Sequence, residues 1–417
     1  MSKMIIDKAE LLSPAGSWES LRAAIDAGCD AVYFGAGELN MRSKSSFNFT
    51  EADLPEIVRI AKESGVKTYL TVNSVVYDED EPKVRTIVAG AAESGVDAII
   101  ASDISAINIA REAGMRVHAS TQLNIANTAA VKFFAQFCDV LVLARELKLD
   151  QVAAICQAIE KERIKGPSGE LVKIEIFAHG ALCMAISGKC YLSLHEKDLS
   201  ANRGECVQIC RRKYIVKDKE TDRELEIDNE FIMSPKDLRT IDFLDKILNA
   251  GVSVLKIEGR GRSPEYVKIV TRCYREAVES IKDGTYGDEK IQKWIEDLSK
   301  VYNRGFWDGY YLGKRLGEWS DRYGSHGTRQ KTYVGKAINY YAKIGVAEFL
   351  VESGEISTND EYLIIGRTTG VLEGVAGEIR DDKGPIETAV KGIVISIKVD
   401  EVVREGDRLY KYVKREQ

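Results

Sequence analysis

Four cysteines, Cys183, Cys190, Cys206 and Cys210, fall within 28 residues and are separated by six, fifteen and three residues. Thiolates are soft ligands, and four of them complete either a tetrahedral zinc site or a [4Fe–4S] cluster. Zinc knuckles commonly offer two close pairs, and only Cys206-x3-Cys210 is close here, so the spacing leans away from zinc. A purely stabilising metal stays open, because metal binding itself supplies folding free energy. The other cysteines, Cys29, Cys138, Cys156 and Cys273, stand singly among apolar or helical neighbours and read as core residues.

A second group of candidates comes from the ends of short apolar runs: Ser13, Asn73, Asp103, His118 with Thr121 and Gln122, Arg145 with Glu146, His179, and Glu258 with Arg260. Singly, each reads as a capping or structural polar residue. Together they describe a ring, if the runs are strands of one barrel.

That condition follows from a repeated pattern. Helical stretches end at a small residue and Gly, then pass into a β-branched run, as in Ala27-Gly28-Cys29-Asp30-Ala31-Val-Tyr-Phe-Gly35 and Ala250-Gly251-Val252-Ser253-Val254-Leu-Lys-Ile. Gly closes the helix in a left-handed turn, and the run behind it suits a strand buried on both faces. Eight such strands are expected at 10–13, 31–35, 67–73, 98–102, 116–121, 140–145, 173–179 and 254–259. Eight strands alternating with helices predict an α/β fold, a TIM-like (β/α)8 barrel whose functional face lies at the strand ends. No Gly-x-Gly-x-x-Gly follows the first strand, so a dinucleotide fold is not supported.

Some 75 residues separate His179 from the next strand, and they hold the four clustered cysteines and an expected hairpin from Tyr214 to Ile227. An insertion of this length at the active end of a barrel is usually functional. We place this Cys-rich insertion at about 181–230. Beyond about residue 331 the pattern turns to period-two runs with Gly and Asn-Asp turns, which predicts a small C-terminal β-barrel. The expected domains are therefore 1–330 and 331–417.

The 417-residue composition, 44% hydrophobic and 30% charged, is that of an ordinary folded protein. No run suits a membrane span and the first ten residues are too charged for a signal peptide, so a cytoplasmic location without membrane attachment is expected. Reduced thiols follow from that compartment. Net charge is −6, yet three stretches, 203–217, 256–275 and 314–331, sum to +11 and leave −17 elsewhere. Such asymmetry suits an anionic ligand, and Arg203, Arg211, Arg212, Lys213, Arg260 and Arg262 are the candidate phosphate contacts, with Tyr214 and Trp307 as candidate stacking partners. Protease machinery is not evident: His195-Glu196 is followed by Lys-Asp-Leu rather than x-x-His, and no Gly-x-Ser-x-Gly occurs. Cys183 with His179 offers the alternative of a nucleophile and base.

The segment Glu175-Ile-Phe177-Ala-His-Gly180-Ala181-Leu182-Cys183-Met-Ala-Ile-Ser-Gly188-Lys-Cys190-Tyr-Leu-Ser193 resembles the signature of the peptidase U32 family over its whole length. The likeness extends through Leu11-Leu-Ser-Pro14-Ala-Gly16, Asn202-Arg-Gly204-Glu-Cys206, Cys210-Arg-Arg-Lys-Tyr214 and Lys256-Ile-Glu-Gly-Arg260-Gly-Arg-Ser-Pro264-Glu-Tyr266. The pattern also lacks the Cys-x3-Cys-x2-Cys of the radical-SAM family. The resemblance implies a [4Fe–4S] cluster on Cys183, Cys190, Cys206 and Cys210 and oxygen-independent hydroxylation. In the branch with a C-terminal β-domain it implies tRNA as substrate, hydroxylated at C5 of the wobble uridine, with prephenate as the hydroxyl source. The tail then becomes a candidate tRNA-binding platform. An electron donor or a second U32 subunit is an expected partner. His179, Arg145, Glu258 and Arg260 are the candidate catalytic residues, the two arginines suiting the carboxylates of a small donor. The competing readings are a U32-type, collagenase-like peptidase and an RNA-binding protein with a structural metal.

Overall fold

Eight parallel strands close on themselves. They are β1 (Glu10–Pro14), β2 (Ala31–Phe34), β3 (Lys67–Val72), β4 (Ala98–Ala101), β5 (Arg116–Ala119), β6 (Val140–Val142), β7 (Lys173–Gly180) and β9 (Val254–Ile257). Each pairs with its neighbour, β7 pairs with β9, and β9 returns to β1. This computed structural model describes residues 9–44, 48–186, 189–215, 220–221, 233–313 and 318–415. The fold is thus the TIM-like barrel expected from the βα repeat, and the eight expected strands coincide with observed ones to within a few residues. The Tyr214–Ile227 hairpin lies largely outside the described residues.

Helices α1 (Trp18–Asp26), α2 (Leu54–Glu63), α3 (Glu81–Ser94), α4 (Ile104–Glu112), α5 (Thr128–Phe134) and α6 (Leu149–Glu162) follow β1 to β6 in turn. Their apolar faces meet the outward residues of the strands in one large core. Helix α3 ends at Gly95 in a left-handed turn, the punctuation read from Ser94-Gly95-Val96. Cys29, Cys138, Cys156 and Cys273 are all buried in this core, where loss of water pushes their thiols up, the last three to about 12. They are inert packing residues.

The barrel interior carries its own network. Leu12, Tyr33, Tyr69, Ile100, Val140 and Val254 form an inner apolar layer. Lys256 lies within it, 2.7 Å from Glu175 and over the rings of Tyr33 and Phe177. Tyr69 donates to Glu10 at 2.7 Å and meets His118 edge-on.

The insertion adds α7 (Leu192–Lys197) and the short strand β8 (Asp237–Arg239), which runs antiparallel to the end of β7. Helices α8 (Leu244–Asn249), α9 (Pro264–Lys282) and α10 (Asp288–Lys300) complete the outer ring, and β10 (Phe306–Trp307) pairs with β8.

Strand β11 opens at Arg329 and starts an antiparallel sheet. Its order is β15 (Gly370–Val375), β14 (Glu361–Gly366), β20 (Arg408–Lys414), β11 (Arg329–Tyr341), β12 (Val346–Val351), β19 (Val394–Lys398), β16 (Ile379–Arg380) and β17 (Pro385–Ile386). Residues from nearly all of these strands enclose one small core around Phe349, Ile364, Ile395 and Leu409. The outer face of β14 and β15 sits on the first domain: Leu363, Ile365 and Val371 bury Ala23 of α1, and the Lys268 ammonium of α9 donates to the Val371 carbonyl at 2.6 Å. No helix among the described residues is long and apolar enough to cross a membrane.

Candidate active site

Glu258 follows the last barrel strand and is the centre of the mouth. Three guanidinium groups surround it: Arg42 at 3.2 Å, with Arg145 and Arg260 close enough to act on it electrostatically. Burial alone would raise its carboxyl, but Arg42, Arg145 and Arg260 outweigh that and hold it down to about 2. The Tyr33 hydroxyl donates to the Ile257 carbonyl at 2.9 Å and to Glu258 Oε2 at 3.2 Å. Among the described residues, three cations face this one anion.

Each arginine is fixed by its surroundings. Arg145 lies 3.6 Å over the Phe177 ring and donates through Nη1 to the Ala181 carbonyl at 2.9 Å, while its buried Nε has no partner among the described residues. Arg260 donates to Thr71 Oγ1 at 3.0 Å, and burial lowers its pKa to about 10, so it stays charged at neutral pH. The backbone of Arg260 passes so close to Gly16 that a Cβ there would stand 1.9 Å from the Arg260 carbonyl oxygen. Two of the sequence segments singled out above, at 11–16 and 256–260, are therefore one structural unit.

The cysteine segment borders this mouth. Gly180 has φ +106, and a Cβ on it would stand 2.5 Å from the Glu258 carbonyl oxygen, so glycine lets the chain turn beside Glu258 and lead into Cys183. The loop at 200–206 is tied down by Val75 N to Asn202 O at 3.0 Å and by the Lys44–Glu205 pair at 2.7 Å. Arg211 staples the segment's two ends, donating to the carbonyls of Leu182 at 2.6 Å and Pro235 at 2.7 Å. Cys190, Cys206 and Cys210 are half-buried and Cys183 is exposed. Burial raises the Cys210 thiol, Arg211 opposes that, and Cys183, Cys206 and Cys190 add to the rise, so each of the three lies within electrostatic reach of Cys210. Arg42 lies within electrostatic reach of Cys206 and Cys183, which links the cysteines to Glu258.

Among the described residues, no three His, Cys, Asp or Glu side chains are close enough to hold one metal ion. A cluster asks less of its ligands than a zinc ion does, because each thiolate takes its own iron. Four cysteines on one segment beside an arginine-rich mouth supply the thiolate donors such a cluster takes.

The expected residues do not all gather here. His179 faces away. A bulge between Phe177 and His179 shifts the register against β9, so His179 pairs with Ile257 on the outer face instead of continuing the inward series of Glu175 and Phe177. Its ring packs against Tyr266, Tyr274 and Phe306, and burial lowers its pKa to about 3. The carbonyl of Ala178 freed by the bulge accepts from Thr240 and Tyr274. His179 is therefore a packing residue, and it is turned away from the Cys183 pairing that a protease would use. Ser13 also points outward, to Thr271 of α9 at 2.8 Å, and Asp103 caps α4. Asn73, Ser120 and Gln122 form a hydrogen-bonded group at the rim. His118 is buried in the barrel interior, with a pKa lowered by burial to about 3.

The candidate phosphate contacts divide similarly. Arg203 is committed to Asp80 at 2.6 Å and to the Tyr77 ring, and Arg211 to its carbonyl acceptors. Arg262 is sandwiched between Asp237 at 3.6 Å and the Tyr302 ring at 3.8 Å. Arg212 and Lys213 are exposed. Trp307 is buried, and the Tyr214 hydroxyl donates to the Ile209 carbonyl at 2.8 Å. Sequence reasoning missed Arg42 and Arg304. Arg42 lies in the loop after β2, and its pairing with Glu258 spans 216 residues of chain.

The family model of peptidase family U32 matches residues 16–321. This chain belongs to that family. A protein named collagenase from Porphyromonas gingivalis is 56% identical over 99% of this chain and all of its own length. The uncharacterized protease MJ0090 of Methanocaldococcus jannaschii is 39% identical over 96% of this chain and 97% of its own. The tRNA hydroxylation protein P1 of Bacillus subtilis is 34% identical over 81% of this chain and 79% of its own. The U32 member's relatives thus carry two kinds of name, a protease and an RNA-modifying protein. A Ser320–His326–Asp321 grouping offers no protease triad, since both Ser320 and Asp321 meet the same nitrogen, Nε2. A triad needs one partner on each ring nitrogen.

Proposed function

We propose that this protein is an RNA-modifying enzyme that hydroxylates tRNA at C5 of the wobble uridine without oxygen, using a [4Fe–4S] cluster and prephenate as the hydroxyl source. The observation that carries the reading is that the segment bearing Cys183, Cys190, Cys206 and Cys210 borders a carboxylate ringed by three arginines. The resemblance to an RNA-hydroxylating relative supports the choice of substrate.

Cys183, Cys190, Cys206 and Cys210 would hold the cluster, which when bound supplies the one-electron chemistry that ordinary side chains lack. The chain's own residues bind and orient. Arg42, Arg145 and Arg260 present guanidinium forks to the carboxylates of a small dianionic donor, and the unpartnered Nε of Arg145 is a ready donor. Glu258, kept ionised, is a weak base and serves to hold Arg42 and to balance part of the charge of Arg145 and Arg260. The C-terminal domain, docked on α1 and α9, extends the surface available to a large RNA. Cytoplasmic residence belongs to the same proposal.

Incubating anaerobically prepared protein with tRNA, prephenate and a chemical reductant, then digesting the RNA for mass spectrometry, tests it. Formation of 5-hydroxyuridine that depends on prephenate and is lost in Cys206→Ala is the expected result. Unmodified uridine with a fully iron-loaded protein would overturn it.

A further inference from the structure

A second basic site borders the cysteine segment, and none of the arginines around Glu258 lines it. The turn at 207–212, which carries Cys210 and follows Cys206, forms one wall of a cavity of about 400 Å³. Arg211, Arg212, Arg304 and Arg322 line it, with Tyr302 and Tyr323. Its size falls within the range of about 300–1,000 Å³ typical of small-ligand sites.

The charges are unbalanced. Arg304 meets the buried Asp237 at 3.3 Å and Arg212 approaches Glu196 at 3.7 Å, so among the described residues four guanidinium groups face two contacting carboxylates. Arg211 and Arg304 repel one another in the buried wall. The Tyr302 ring is already covered by Arg262 at 3.8 Å, whereas Tyr323 is 74% exposed at the rim. Surplus guanidinium matches phosphate oxygens, and an exposed ring beside it gives a base a face to stack on. A small donor carboxylate has no use for the ring, and an apolar peptide has no use for the arginines.

We propose that this cavity binds one nucleotide of an RNA strand, its phosphate on Arg212, Arg304 and Arg322 and its base on Tyr323. Because the Cys206–Cys210 turn is a wall of the cavity, a nucleotide held there fixes the register of its neighbour toward the cysteines. The inference rests on the RNA-directed reading above and adds where the strand is held. The Glu258 cluster serves the small donor and this cavity the polymer.

Fluorescence anisotropy with a 17-nucleotide anticodon stem-loop tests it, on full-length, anaerobically prepared protein at 50 to 200 mM salt. The Arg212→Gln/Arg322→Gln pair is expected to weaken binding about tenfold and to flatten the salt dependence by about one to two in slope. Tyr323→Ala is expected to weaken binding at least about fivefold, but to leave binding of an abasic strand of equal length unchanged. Wild-type binding with both variants at full affinity would overturn the cavity and leave the RNA reading standing. No RNA binding by wild type at 50 mM salt would overturn both. Saturation by uridine 5′-monophosphate at micromolar concentration, with no gain from the longer strand, would assign the cavity to a free nucleotide and overturn the RNA assignment.

Discussion

Replacing Glu258 by Gln removes the only negative charge among Arg42, Arg145 and Arg260 while keeping the side-chain volume. The folded carboxyl is held near 2 against an ordinary value of 4.5, so its ionised form contributes about 3 kcal/mol to stability at pH 7. The sign follows from the depression. Above pH 4.5 both folded and unfolded states are ionised and the full contribution is present. As pH falls the unfolded carboxyl takes a proton first, so less than half of the contribution remains at pH 3 and the rest is lost through pH 2. Urea titrations of wild type and Glu258→Gln, followed by tryptophan fluorescence, should differ by about 3 kcal/mol at pH 7 and by less than half of that at pH 3. A Glu258→Gln/Arg42→Gln double variant should recover part of the loss, since it removes one of the stranded cations. Equal stability of the single variant and wild type at pH 7, or a difference that does not shrink in acid, would refute the electrostatic description of the mouth.

Other consequences follow from the same geometry. Lys256→Met leaves Glu175 buried and uncompensated, and should cost about 3–5 kcal/mol, whereas Lys256→Met/Glu175→Gln should recover most of it in the same denaturation assay. Gly16→Ala drives a Cβ into the Arg260 carbonyl, and should cost about 1–3 kcal/mol and weaken donor binding measured by calorimetry, while leaving iron content unchanged. His118 and His179 are both held neutral to about pH 3 in the fold but take protons near 6.5 when unfolded, so stability should fall on acidification. The pair steepens the loss of stability by about 3 kcal/mol per pH unit near pH 5, and His179→Phe should remove about half of that slope.

Much of the architecture could be read from local chemistry. The Gly-terminated helices and β-branched runs mark the barrel strands because each signal is confined to a few residues. The clustered cysteines stand out because the interval between His179 and Val254 breaks the βα rhythm. His179 was misplaced because strand alternation sets Glu175, Phe177 and His179 on one face, and only the bulge, stabilised by Thr240 and Tyr274 far along the chain, turns it over. Arg42 was invisible because nothing within its own loop says that Glu258, 216 residues later, will lie beside it. Arg203 and Arg211 illustrate a further limit: a basic run gives the charge, but whether a guanidinium meets a ligand or a carbonyl depends on contacts such as Asp80 and Leu182.

The most direct measurement is the nucleoside content of tRNA from cells lacking this gene, complemented with wild type, Cys183→Ala or Arg260→Gln. Loss of 5-hydroxyuridine and its derivatives on deletion, restored by wild type and by neither variant, is the expected result. An unchanged nucleoside profile in the deleted cells would contradict the proposed function.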